Sequence, residues 1–271
     1  MMFIDTHCHL DAAEFDADRD AVASAALLQG INAIVVPAVE RRNFDAVIAL
    51  HQQHEHCVYA LGIHPIYVDN ADALDLNVLV QYVRDYSPVA IGEIGLDYFL
   101  TNPKDHPENI RRQHYFFEAQ LDIAQQHGLP VILHVRGAID QILKALRKRH
   151  LTGGIAHAFN GSLQQAKQFM DLGFKLGFGG AMTYSRALHL RELAKTLPLD
   201  AIVLETDAPD IPPEWLGKSG RNSPLQLPKI AQVLADLRQE KLGQVLDITG
   251  ANVLKVLPKL AHLFTPVKVL H

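Results

Sequence analysis

Eight short runs rich in valine, isoleucine and leucine, separated by segments of helical period, constrain this chain more than any other feature. They span residues 3–9, 31–39, 57–65, 89–98, 129–135, 153–159, 174–180 and 201–208. The intervening period is clearest over Pro107–His127, where Ile110, His114, Phe117, Leu121 and Ala124 follow the helical repeat. Pro107 opens that segment and Gly128 follows it, the asymmetry expected of a helix. Alternating strands and helices imply parallel strands, and eight units imply an α/β fold closed as a single (β/α)8 TIM barrel. Such a barrel takes about 250 residues, nearly all of the 271 present. An open doubly wound sheet would need a glycine-rich phosphate loop after an early strand. Here the first strand runs into His7-Cys8-His9-Leu10-Asp11 instead. The expected layout is a barrel over 1–260, with extra C-terminal helices at 225–239 and 242–257 after a polar loop at 209–224, and a tail over 261–271.

Apolar residues make up 48% of the chain and charged residues 20%, the composition of a folded protein with a full core. A formal charge of −5 argues against a broad basic surface for duplex DNA, so an anionic substrate must be held locally. Cys8 and Cys57 form no CxxC and no disulfide framework, and each reads as a small core residue. The first strand begins at once, leaving no room for a signal peptide, and the apolar stretch 21–39 is interrupted by Ser24, Gln29, Gly30, Asn32 and Pro37. That stretch reads as a helix end, a turn and a strand. The expectation is a cytoplasmic protein with no membrane association and no obligate protein partner, hence a monomer.

In a barrel of this type the active site lies at the C-terminal ends of the strands. Those ends carry His7 and His9, His64, Glu93, His134 and Arg136, His157, and Glu205 with Asp207. Any one of them has a bland reading, such as a buried imidazole bonded to a carbonyl. A whole series at one rim does not. On a strand, residues two apart share a face, so His7 and His9 are presented together with Cys8 turned away. Imidazole and carboxylate ligands without thiolate suit zinc, manganese or another divalent ion, and six exceed one tetrahedral site. Two metals are therefore expected. His7, His9 and Asp207 take one, His134 and His157 the other, and Glu93 bridges them. Such a pair activates a water for displacement at phosphorus. Asp207 is assigned to orient that water and accept its proton. Glu205 and Asp5 lie one layer deeper, supporting the ligands. For the phosphate itself His64, Arg136, Arg221 and Asn222 are the candidate donors, with a surface ion pair as the competing reading of Arg221.

The motifs together resemble the TatD family of metal-dependent deoxyribonucleases, a branch of the amidohydrolase-like barrels. The resemblance rests on Asp5-Thr6-His7-Cys8-His9-Leu10, Gly62-Ile63-His64-Pro65, Gly92-Glu93-Ile94-Gly95-Leu96-Asp97-Tyr98, residues 130–136, His157-Ala158-Phe159-Asn160-Gly161 and Glu205-Thr206-Asp207-Ala208-Pro209. It implies a barrel that binds two divalent metals (zinc, manganese or magnesium) through His7, His9, Glu93, His134, His157 and Asp207 and hydrolyses phosphodiesters. Related barrels often bridge their metals with a carbamylated lysine, but residues 89–98 hold no lysine, which favours Glu93. Ala158, Asn160, Ser223 and Asp210 depart from the family's commonest pattern, and none removes a metal ligand. The expected activity is a deoxyribonuclease acting from ends of single-stranded or short DNA. The alternative is a dinuclear phosphomonoesterase, or an ester or amide hydrolase acting on a small molecule or an aminoacyl-nucleotide.

Overall fold

The computed structural model describes residues 2–264. Its eight strands are β1 (Phe3–Asp5), β2 (Ile31–Pro37), β3 (Cys57–Ala60), β4 (Ile91–Asp97), β5 (Val131–Arg136), β6 (Gly154–Ala156), β7 (Phe174–Phe178) and β8 (Ile202–Leu204). All pairings are parallel and sequential, β1 through β3 in one sheet and β4 through β8 in another. Two isolated bridges join the sheets into a ring: Leu61 to Ile91 between β3 and β4, and Cys8 to Ala208 beyond the ends of β1 and β8. The closed (β/α)8 barrel read from the sequence is the fold.

Nine helices among the described residues surround it: α1 (Arg19–Leu28), α2 (Phe44–Gln53), α3 (Ala73–Tyr86), α4 (Pro107–His127), α5 (Ile139–Leu146), α6 (Leu163–Asp171), α7 (Leu188–Thr196), α8 (Leu227–Arg238) and α9 (Leu242–Val256). The bounds of α4 agree with those read from the sequence, because Pro107 starts it and Gly128, at φ 62°, ends it. The stretch read as a helix end, a turn and a strand is α1, Gly30 and β2. No helix among the described residues is long and apolar enough to cross a membrane.

The core is layered. One cluster lies between strands and helices and holds both cysteines. A smaller one fills the barrel interior with Ile4, Ala33, Val35, Val58, Ala60, Ile132, Ile155 and Val203. Val253, Val256, Leu257 and Leu260, from the end of α9 and the 3₁₀ segment Pro258–Phe264, complete that inner cluster. Residues 265–271, most of the expected tail, lie outside the described residues.

This inner layer sets the side chains above it. Because strand residues alternate faces, Ile132 predicts an inward His134, Ile155 an inward His157, Val203 an inward Glu205 and Asp207, and Ala60 an inward His64. β4 is the exception. From Ile91 to Ile94 it advances three residues while β5 advances two, from Val131 to Leu133. One inserted residue changes the inward parity, so that Ala90 faces in below and Glu93 faces in above.

Candidate metal centre

Most of the observed strands are shorter than the sequence runs at their C-terminal ends, and the chemistry sits where the ladder stops. His7 and His9 follow β1, with Cys8 between them buried in the outer core. Their Nε2 atoms lie 3.2 Å apart. Glu93, 1% exposed, stands in the middle of the cluster. Its Oε2 is 3.1 Å from His7 Nε2 and 3.5 Å from His9 Nε2. Its Oε1 faces the other imidazoles, 2.9 Å from His134 Nδ1, 3.3 Å from His64 Nε2 and 3.9 Å from His157 Nε2. Asp207 Oδ1 closes the group at 3.6 Å from His7, 3.8 Å from His9 and 3.9 Å from His157.

These distances suit a cation. Ligand bonds of about 2.0–2.1 Å in tetrahedral geometry set donor atoms about 3.4 Å apart, close to the spacings observed. Three overlapping triads could hold an ion: His7, His9 and Asp207; His7, Glu93 and His157; and His64, Glu93 and His134. The grouping differs from the expected one in bringing His64 to Glu93 and His134. His64 Nδ1, however, accepts the Ile66 N–H at 3.2 Å, so the neutral ring carries its proton on Nε2. His64 therefore presents a donor, not a lone pair, to Glu93.

A further layer orients these groups. His134 Nε2 meets Asp97 Oδ2 at 3.0 Å, leaving Nδ1 for the centre. Asp97 Oδ1 is fixed by the N–H groups of Phe99 and Leu100, and its backbone N–H and carbonyl pair with the buried amide of Gln113 on α4. Gln120, two turns along, clasps Ile63 in the same way. Glu205 Oε1 accepts from Ala158 N at 2.6 Å and lies 3.3 Å from His157 Nδ1. Asp5 accepts from the N–H and hydroxyl of Thr206 and from His7 N, tying β1 to the turn before Asp207. Asp207 itself has φ 56° and donates its N–H to His7 O.

Protonation follows from burial and charge. Burial would raise the Glu93 carboxyl, but His64, His7 and His134 hold it well below the usual range. Burial would likewise depress His9 and His157, yet the carboxylates override it. Glu93 and Asp207 bring His9 to about 9, and Asp207, Glu205 and Glu93 bring His157 to about 10. Burial dominates at His64, lowered to about 4, and at Asp207, raised to about 6. The buried carboxylates thus recruit positive charge, which protons supply in the metal-free protein.

The centre forms the floor of a cavity of about 890 Å³. All six residues expected to ligate converge in or under it. Arg136 lines the wall, its guanidinium stacked 4.1 Å from the ring centre of Phe99. Arg221 and Asn222, expected to contact the phosphate, do not line it. Arg221 makes a two-pronged ion pair with Asp18 at 2.8 and 2.7 Å and covers Phe15. Asn222 is fully buried, and its Nδ2 donates to the carbonyls of Thr206 and Asp210, shaping the loop after β8. Sequence reasoning assigned no role to Asp97, Gln113 or Gln120. Only Asp97 carried a signal, sharing inward parity with Glu93 at a strand end.

The chain matches the family model described as TatD related DNase over residues 4–258. It is 40% identical over 247 residues to the uncharacterized metal-dependent hydrolase YjjV of Escherichia coli (strain K12), covering 90% of this chain and 93% of that one. The crystal structure of YjjV superposes with a TM-score of 0.87 at 38% identity, covering 94% and 98% of the two chains. The human deoxyribonuclease TATDN3 is 30% identical over 269 residues, covering 96% of each chain. The 3'-5' ssDNA/RNA exonuclease TatD of Escherichia fergusonii is 30% identical over 258 residues, covering 92% and 96%.

Proposed function

The chain belongs to the TatD-related DNase family of metal-dependent hydrolases, and on that premise we propose that it hydrolyses phosphodiesters at the ends of single-stranded or short DNA. The observation that carries this reading is the division of Glu93, one oxygen toward His7 and His9 and the other toward His134 and His157. In this reading His7, His9 and Asp207 would hold one divalent cation and His134 and His157 a second, with the Glu93 carboxylate between the two groups. Zinc, manganese and magnesium are the ions to test.

Divalent ions there would supply Lewis-acid polarisation of a phosphoryl oxygen and an attacking water of lowered pKa. The Asp207 carboxylate would orient the attacking water and accept its proton, since the base must lie within hydrogen-bond reach of the nucleophile. Arg136 offers a guanidinium already held flat by Phe99 to the non-bridging phosphate oxygens, while the Nε2–H of His64 faces Glu93 and fixes that carboxylate beside the phosphate site. Asp97 and Glu205 keep the two distal imidazoles turned inward. A centre on the floor of a cavity admits a strand end more readily than the middle of a rigid duplex, and a chain of net charge −5 does not wrap one.

The test uses protein supplied with manganese, magnesium or zinc and an end-labelled single strand. Progressive shortening from one end, abolished by chelator, is expected. Robust cleavage of closed circular DNA with linear strands left intact would refute the end-directed reading. Parallel turnover of nitrophenyl phosphate, bis-nitrophenyl phosphate and a carboxylic ester separates it from monoesterase and esterase activity.

A further inference from the structure

Beside the central cavity lies a second, shallower pocket of about 650 Å³, and the two share Ala181, Leu190 and Ile211 in their walls. It is therefore a continuation of the groove that leaves the centre between the loop after β7 and the loop after β8. Its rim carries Arg186 and Lys218, both exposed, and the half-buried ring of Tyr184 with the Arg186 guanidinium 5.5 Å from its centre. Neither cation has a carboxylate partner among the described residues. Glu214, in the same loop as Lys218, is occupied by the N–H and hydroxyl of Ser185.

The two loops are pinned together, so the pocket is preformed. Thr183 Oγ1 donates to Gly180 O at 2.7 Å and accepts from Glu214 N at 2.8 Å. Gly180 packs so tightly on the second loop that a Cβ there would meet Ile211 O at 2.1 Å. An apolar floor of Ala181, Leu190, Ile211 and Pro212 beneath two unpaired cations and an aromatic ring matches a single-stranded nucleic acid, whose sugars and bases want apolar contact and whose phosphates want cations. A protein of net charge −5 can hold such a strand only where cations are gathered locally.

We propose that Tyr184, Arg186 and Lys218 form a second phosphate-binding subsite for the strand whose end occupies the metal centre. This rests on the phosphodiester reading above and deepens it, because it makes an oligonucleotide, not a small ester, the preferred substrate.

The experiment measures fluorescence anisotropy of a labelled single-stranded oligodeoxynucleotide with protein held metal-free by chelator, so that no turnover occurs. In the double variant R186E/K218E the dissociation constant rises about tenfold or more, and the slope of log K against log salt flattens by about 1.4, some 0.7 for each lost phosphate contact. Lys144→Glu, a single charge reversal on the exposed surface of α5, leaves binding as in the wild type. With metal restored, KM for the oligonucleotide rises at least about tenfold more than KM for bis-nitrophenyl phosphate, as loss of a remote contact requires. An unchanged dissociation constant and salt slope, or no oligonucleotide binding by the wild type, overturns the subsite. Failure of the metal-loaded wild type to hydrolyse any phosphodiester overturns the function instead, while the metal-free titration still reads the subsite.

Discussion

Replacing Gln120 with methionine tests whether α4 clamps the strand ends that carry the centre. Gln120 is fully buried, its Oε1 accepting from Ile63 N at 2.7 Å and its Nε2 donating to Ile63 O at 3.0 Å. β3 ends at Ala60, so Ile63 has no ladder partner and the amide stands in for one. Methionine keeps the length of the side chain and removes both partners. Each orphaned backbone group costs about 1–3 kcal/mol. The two together cost about 2–6 kcal/mol, and relief of the amide's own desolvation brings the net to about 2–4 kcal/mol. In a chain of this size about 1 kcal/mol moves the melting midpoint by about 2 °C, so a drop of about 4–8 °C is expected. Urea unfolding of the metal-free protein should show the same loss with an unchanged m-value. Gln113→Met at Asp97 should behave likewise. The two glutamines are seven residues, or about 10.5 Å, apart along the helix axis, so the losses should add. A loss below about 1 kcal/mol for Gln120→Met would mean that water or a shifted strand satisfies Ile63, and the clamp would be refuted.

Asp207→Asn should lower the hydrolytic rate by about a hundredfold to ten-thousandfold, the usual worth of a positioned base, and residual activity at the wild-type level would remove Asp207 from the reaction. Metal binding should release protons. His9 and His157 titrate near 9 and 10 in the metal-free protein, so at neutral pH both are protonated and must lose that proton to ligate. Affinity therefore rises with pH up to about 9, by about a hundredfold per pH unit for two displaced protons, and calorimetry in buffers of different ionisation enthalpy counts them. Gly177→Ala puts a Cβ 2.1 Å from Glu205 Oε2. The displaced carboxylate should cost about 1–3 kcal/mol of stability and about 10–100-fold in metal affinity, and normal metal retention would show that Glu205 does not orient His157. Arg221→Ala should leave kcat/KM on single-stranded DNA unchanged, since its guanidinium is spent on Asp18, and a clear loss would restore it to the substrate site.

The barrel and the ligand candidates at the ends of β5, β6 and β8 were legible because both depend on short-range pattern. Alternation identifies the strands, and parity carries the inward face of Ile132, Ile155 and Val203 up to His134, His157 and Asp207. The loop residues were not legible. Arg221 pairs with Asp18 across 203 residues of sequence, and no local signal distinguishes that ion pair from a free phosphate donor. Gln113 and Gln120 were hidden for a different reason. A helical repeat is read from apolar residues, so a glutamine on the buried face registers as a gap in the pattern although it is the best-bonded group there.

The shift of parity in β4 explains how one residue can serve two halves of the centre. With strict alternation from Ala90, the inward positions would be Gly92, Ile94 and Leu96, none able to bind a cation. The inserted residue turns Glu93 and Asp97 inward together. Gly95 between them, at φ 154°, packs against β5 so closely that a Cβ would lie 2.0 Å from His134 O. This close approach sets His134 between the two carboxylates, with Nδ1 on Glu93 and Nε2 on Asp97. A carboxylate at the centre, an imidazole, and a second carboxylate behind it thus form one line across two strands, and the bulge is what makes that line possible. The glycines flanking Glu93 at positions 92 and 95 therefore belong to the chemistry as much as the histidines do. They let β4 carry an acidic side chain inward where its own alternation would have placed isoleucine.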